Sequence, residues 1–125
     1  VTFEADLKRH LQDDAALAAA VGDRIAPQPL GEGEGLPAIT YTVPSDQPQT
    51  DLDGEDGALN RVVVQVDVWA KTAAGAKETG ELVRVRMKTP AATFAAVPLS
   101  IFQDYEPETR RHRVTRDFSC WYRLS

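Results

Sequence analysis

Chemistry in this chain has few residues to draw on. Two histidines, His10 and His112, and one cysteine, Cys120, are the usual candidates for proton transfer, nucleophilic attack or soft-metal ligation. Asp117 and Ser119 lie close to His112 in sequence, which raises a Ser-His-Asp relay. The segment reads as one extended strand, however, and its period of two turns Asp117 and Ser119 away from the His112 face. Cys120 falls on the apolar side with Phe118 and Tyr122, where a thiol acts as a small buried hydrophobe rather than an activated thiolate. His10, His112 and Cys120 are too scattered in sequence for a zinc-type ligand set. No catalytic residue, metal ligand or cofactor site is therefore assigned.

The acidic run "TDLDGEDG" raises calcium chemistry. An EF-hand loop needs oxygen donors at fixed positions, glycine at the sixth and glutamate at the twelfth. Counting from Asp51, the sixth residue is Asp56 and the twelfth is Val62, so the pattern fails. A solvated hairpin tip, or an arm that orders against a partner, fits Asp51, Asp53, Glu55 and Asp56 better. "GEGEG" at positions 31–35 has the composition of a phosphate loop, yet it leads into Pro37 and a strand rather than a helix. It reads as a flexible link.

Two further groups suit contact rather than catalysis. Arg110, Arg111, Arg113 and Arg116 form a basic cluster on a hairpin. Its alternatives are solvated charge, pairing with an acidic loop of a neighbouring subunit, and direct DNA contact. Trp69 and Trp121 both sit on the more polar parity of their strands. Either a helix covers that face, or two large aromatics remain for an interface, where tryptophan is enriched.

The elements that must position these groups follow from periodicity. Thr2 caps a first helix with Phe3, Leu7 and Leu11 on one stripe. Asp13 and Asp14 break it and recap a short Ala-rich turn with Leu17 and Val21 inward, closed by Gly22. A short strand over 24–26 is ended by Pro27 and Pro29. A second strand opens at Pro37, places Ile39, Tyr41 and Val43 on one face, and closes at Pro44. Positions 45–60 read as a long acidic loop, unusual in a small domain. Arg61 to Ala70 is the clearest strand, with Val62, Val64, Val66 and Val68 on one face. Thr72 caps a second main helix reaching Lys88, with Ala73, Ala76, Gly80, Val83 and Met87 inward and Pro90 beyond. Strands over about 97–104 and 112–124 complete the chain. The expected fold is α+β in a single domain, 1–125. It has a mixed, mostly antiparallel sheet, two main helices on one face, and the order α-β-β-β-α-β-β.

The bulk properties bound function. The 125 residues suffice for one core, and 42% hydrophobic with 26% charged residues is ordinary globular composition. The formal charge of −5 disfavours a domain whose task is to grip nucleic acid, although it suits a surface past which DNA slides. No apolar run is long enough for a membrane helix, no secretory leader is visible, and the start at Val1 reads as a removed initiator. A single cysteine permits no intrachain disulfide, so a reducing compartment is expected.

Taken in order, "FEADLKRHLQDDAALAAAVGDRIAP", "LPAITYTVPS", "RVVVQVDVWA" and "DYEPETRRHRVTRDFSCWYRLS" resemble the tail-completion, or tail terminator, family of long-tailed phages and gene transfer agents. Asp67 and Trp69, followed by Tyr105, Glu106, Pro107, Asp117, Phe118 and Trp121, carry most of the likeness. The Gly-rich and acidic loops match nothing in it. The resemblance implies a non-enzymatic virion protein, assembled in the host cytoplasm, that forms a six-membered ring of identical subunits. The ring would cap the tail tube, end its growth, meet a head-side connector or stopper protein, and let DNA through without specific binding. A head-side adaptor is the neighbouring reading. A small metal- or ligand-binding domain and a DNA-binding regulator are readings of other classes.

Overall fold

A computed structural model describes residues 3–31, 35–50, 56–91 and 93–123. Three helices and five strands follow one another: α1 (Phe3–Gln12), α2 (Ala15–Val21), β1 (Ile25–Pro27), β2 (Ala38–Thr50), β3 (Asp56–Ala70), α3 (Ala73–Lys88), β4 (Phe94–Glu106) and β5 (Arg111–Arg123). The class and element order match the sequence reading, with the Ala-rich turn forming a short helix of its own. Asp14 caps α2 by accepting from Leu17 N–H at 3.0 Å, and Gly22 ends it at φ +60°, where an added side chain is disfavoured. Thr72 caps α3 through Gly75 N–H at 2.9 Å. Ala73 is exposed, against expectation, because the inner stripe of α3 begins one turn later with Ala76, Thr79, Gly80, Val83 and Met87.

The strands form one sheet in the order β1-β2-β3-β5-β4. Only β1 with β2 is a parallel pair; β2–β3, β3–β5 and β4–β5 are antiparallel. The helices cover one face. Val62, Val64, Val66 and Val68 meet Phe118 and Cys120 there, packed against Leu7, Leu11, Leu17, Val83 and Met87. Gly80 lets α3 lie close to the sheet. A Cβ at that position would sit 3.1 Å from Val114 Cγ1, tighter than ordinary packing allows. α1 is fixed at its start by Phe3, whose ring lies 5.3 Å from Phe94 and 5.0 Å from Tyr122.

The expected long loop is the main departure. β2 does not close at Pro44 but continues to Thr50, and β3 begins at Asp56, so both pair as a hairpin arm. The prolines are accommodated by where they fall. Pro44 lies in the register shift between Thr42 and Ser45. Pro48 pairs with Asn60 in the row whose backbone groups point away from β3, so its missing N–H costs the ladder nothing. Asp51, Asp53 and Glu55 lie outside the described residues, as do Thr2, positions 32–34 and Leu124. Asp56 is the first residue of β3.

Candidate subunit interface

The face of the sheet opposite the helices is polar, yet much of it is closed to solvent. Asp67 is fully buried, and Thr40, Ser119, Trp69 and Thr115 are nearly so. The alternation of β3 puts Asp67 here because the valines on either side take the helix face. Its carboxylate accepts from the Thr115 hydroxyl, from Gln28 Nε2 at 3.3 Å and from Gln65 Nε2 at 3.5 Å. A buried carboxylate is tolerated when its lone pairs are met in this way.

Trp69 sits one step along the same face. Its Nε1–H donates to Thr40 Oγ1 at 3.0 Å. The guanidinium carbons of Arg111 and Arg113 lie 5.0 and 5.3 Å from its ring centre, close enough for cation–π attraction. Each arginine also holds a β4 carboxylate: Arg111 donates to Glu106 Oε1 at 2.9 Å and Arg113 to Asp104 Oδ2 at 2.9 Å. Bonds from Thr109 and Arg111 hold the Glu106 carboxyl below its usual range. Asp104, Glu106, Glu108, Tyr105 and Trp69 line a shallow hollow of about 350 Å³ at this end of the sheet.

Trp69, Arg111 and Arg113 therefore engage one another within the chain, and the cover on Trp69 is a pair of arginines rather than a helix. Arg110 stands apart on the β4–β5 turn, exposed and at φ +55°. Arg116 reaches Glu81 of α3 at 3.3 Å on the helix side. Trp121 stays half-buried, with Arg61 held beside it at 5.9 Å from the ring centre and donating to Ser119 Oγ at 2.8 Å. The arm tip and the arginine turn lie at opposite ends of the sheet. Fourteen residues of β3 separate their levels, roughly 45 Å at the rise of an extended strand.

The residues considered for catalysis stay apart. His10 is buried between α1 and α3, with Nε2 3.0 Å from Arg86 O, while Arg86 Nε donates back to His10 O at 2.8 Å. His112 stacks on Tyr105 at 4.6 Å. Asp117 accepts from Ser100 at 2.7 Å. Cys120 lies in the core, and burial pushes its thiol up to about 12. Among the described residues no three His, Cys, Asp or Glu side chains cluster as metal ligands.

Sequence reasoning placed a strand over about 97–104 but missed the strongest surface signal, the exposed apolar residues of β4 at the sheet edge. Val97, Leu99, Ile101, Phe102 and Tyr105 of this strand, with Val85 of α3, are 45–60% exposed. A register shift between Pro98 and Ser100 explains the distribution. Before it, Phe94 and Ala96 share the helix face with Tyr122 and Cys120. After it, parity flips: Phe102 joins Thr115 on the polar face, while Ile101 and Tyr105 join Arg116 and His112 on the helix face. The run "VPLSIF" carried this signal, but its alternation breaks at the bulge.

The comparisons agree with this architecture. A solved chain from the virion of a native gene transfer agent particle has the same fold, with a TM-score of 0.73 and 20% sequence identity over 98% of this chain and 95% of that one. No curated protein matches the sequence. A family model described as tail completion protein gp17 matches residues 5–123. With nearly the whole described fold inside that match, the chain belongs to the tail completion protein gp17 family.

Proposed function

We propose that this chain is a non-enzymatic subunit of a ring, a hexamer, that caps the phage tail tube, ends its growth and joins it to the head-side connector. The family match over residues 5–123 carries the reading. The gene transfer agent virion chain, similar over almost its full length, supports a place in the particle. The neck of the tail is that place, reached after assembly in the host cytoplasm. DNA passes through the lumen without specific binding, and the balance of −5 suits this because acidic walls repel phosphate. The acidic arm, with Asp51, Asp53, Glu55 and Asp56, and the exposed Arg110 act as contact points between neighbours, and Trp121 adds a half-buried aromatic. Trp69, Arg111 and Arg113 shape that surface from beneath.

Electron microscopy of tails assembled without this chain tests the proposal. Tubes of uncontrolled length that fail to join heads are expected. Tails of normal length attached to heads would sink it. Cross-linking to the tube protein, rather than to a portal-side protein alone, separates the terminator from a head-side adaptor.

A further inference from the structure

β4 forms one margin of the sheet, and no other described strand lies beyond it. The register sorts its backbone into two rows. Ser100, Phe102, Asp104 and Glu106 face β5, so Ile101, Gln103 and Tyr105 turn their N–H and C=O groups outward. Asp104 Oδ1 accepts from Tyr105 N–H at 2.8 Å and closes one end of this row. Pro98, in the row before the shift, offers no N–H. Between them Ile101 and Gln103 remain open, flanked by Leu99, Ile101 and Phe102, each more than half exposed. Soluble monomers usually blunt such an edge with charge or proline along its length. Here no described strand pairs with the middle of the edge, where Leu99, Ile101 and Phe102 stand exposed beside Gln103.

The same sheet has a second open edge on its far side. β1 pairs with β2 only from Ile39 to Tyr41, and no described strand pairs with the outer edge of the arm from Val43 to Thr50. The two edges run antiparallel to each other, because β4 parallels β3 across β5 and β3 opposes β2. Their charges are complementary. Positions 44–60 contain Asp46, Asp51, Asp53, Glu55 and Asp56 and no lysine or arginine. The last two turns of α3, which packs beside β4, carry Arg84, Arg86 and Lys88; Arg84 shares Glu81 with Arg116, so one carboxylate answers two guanidinium groups, and Arg86 is bonded to His10 O.

We propose that the outer edge of β4 receives the outer edge of the arm of a second copy of this chain, as an added antiparallel strand. The apolar residues of β4 close over the joint, and the acidic sequence of the arm suits the basic end of α3. Main-chain hydrogen bonds supply affinity and the flanking side chains supply register. Asp46 and Pro48 lie in the arm's outward row, and Pro48 keeps its carbonyl as an acceptor for a β4 N–H. The contact joins two different patches, so it is heterologous and propagates from copy to copy until it closes. This names the surface for the ring reading and rests on it.

Two single variants, Gln103→Cys and Asp46→Cys, test the contact with a short bis-maleimide. Native Cys120 stays silent because it is buried. Covalent dimers are expected when the two variants are mixed, whether as free protein or in completed tails, and not from either variant alone. Gln103→Pro, which removes an N–H that the chain's own ladder does not use, should weaken self-association about tenfold without unfolding the subunit. Cross-linking of Gln103→Cys to itself would mean two-fold β4–β4 pairing and overturn the proposal. Rings seen by native mass spectrometry with no mixed cross-link, and unaffected by Gln103→Pro, would overturn it while leaving the ring reading standing. A chain that is monomeric even in completed tails would defeat the ring reading itself.

Discussion

Asp67 is the residue on which the polar face depends. Among the described residues its carboxylate is met by neutral donors, from Thr115, Gln28 and Gln65, and it is fully buried. Asp67→Leu would leave those donors facing hydrocarbon and should destabilise the fold by about 2–4 kcal/mol. Thr115→Val alone should cost about 1.5–3 kcal/mol, the range for a hydrogen bond to a charged group. The double variant should cost less than the sum, because the two groups answer each other. Urea denaturation of the three proteins checks this, and strict additivity would contradict it. Trp69 was legible as a contact residue because it stands on the more polar parity of its strand, and Asp67 only through the family likeness. Their surroundings were not legible, since Arg111 and Arg113 reach Trp69, and Thr115 and Gln28 reach Asp67, from other parts of the chain.

Cys120 offers a second test at this scale. Its raised thiol pKa means that little thiolate exists in the folded chain below about 12. A thiol reagent at pH 8 should modify Cys120 only as fast as the protein unfolds, and urea should accelerate it in step with the loss of structure. Fast labelling of the native chain would show that the β5 core opens locally.

Among the elements, α1 and α3 are joined by a reciprocal clasp in which the side chains of His10 and Arg86 each bond the other's backbone carbonyl. Burial, the largest influence, lowers the His10 pKa below its ordinary 6.5; the Arg86 carbonyl opposes this, and Arg86 adds to it through its charge. Asp6, Arg9 and Asp13 also line the hollow beside it. The sign follows from linkage. The unfolded chain takes up a proton near pH 6.5 while the folded chain resists, so stability falls as pH drops below about 6.5 until the lowered folded value is reached. His10→Gln keeps a donor for Arg86 O and removes the titration. Its thermal midpoint should change less between pH 7 and pH 5.5 than that of the parent chain, and equal slopes would refute the assignment.

Element by element, the long periodic pieces could be read and the punctuated ones could not. The valine alternation of β3 and the caps of α2 and α3 are local rules, and each is realised. The arm failed because Pro44, Pro48 and five carboxylates count against a strand when read locally. Only the pairing register, which puts Pro44 at a bulge and Pro48 in an outward row, makes them compatible with one. β4 was half read for a related reason: the bulge at Leu99 flips its parity, so no single alternation runs through it.

At the scale of the whole molecule, charge and core are separated. The five carboxylates of positions 44–60 equal the entire net charge of −5, so the remaining residues balance at 14 acidic and 14 basic. Among the described side chains, the helix-packed cluster reaches Val43 and Val62 at the foot of the arm. The arm's sequence is rich in the charge that a neighbour could read. Replacing positions 48–60 by Asn-Gly joins Gln47 to Arg61, which already pair, through the two-residue turn that hairpins favour. Four of the five carboxylates go with it: Asp51, Asp53, Glu55 and Asp56. With the described core cluster left whole, the thermal midpoint should fall by no more than about 4 °C, the shift of a ~1 kcal/mol loss in a domain of this size. Incorporation into tails should be lost. Circular dichroism and analytical ultracentrifugation of the shortened chain, beside electron microscopy of the tails it supports, separate the two effects. A folded, shortened chain that still completes tails would remove the arm from assembly. A chain that no longer folds would show that the arm belongs to the core after all.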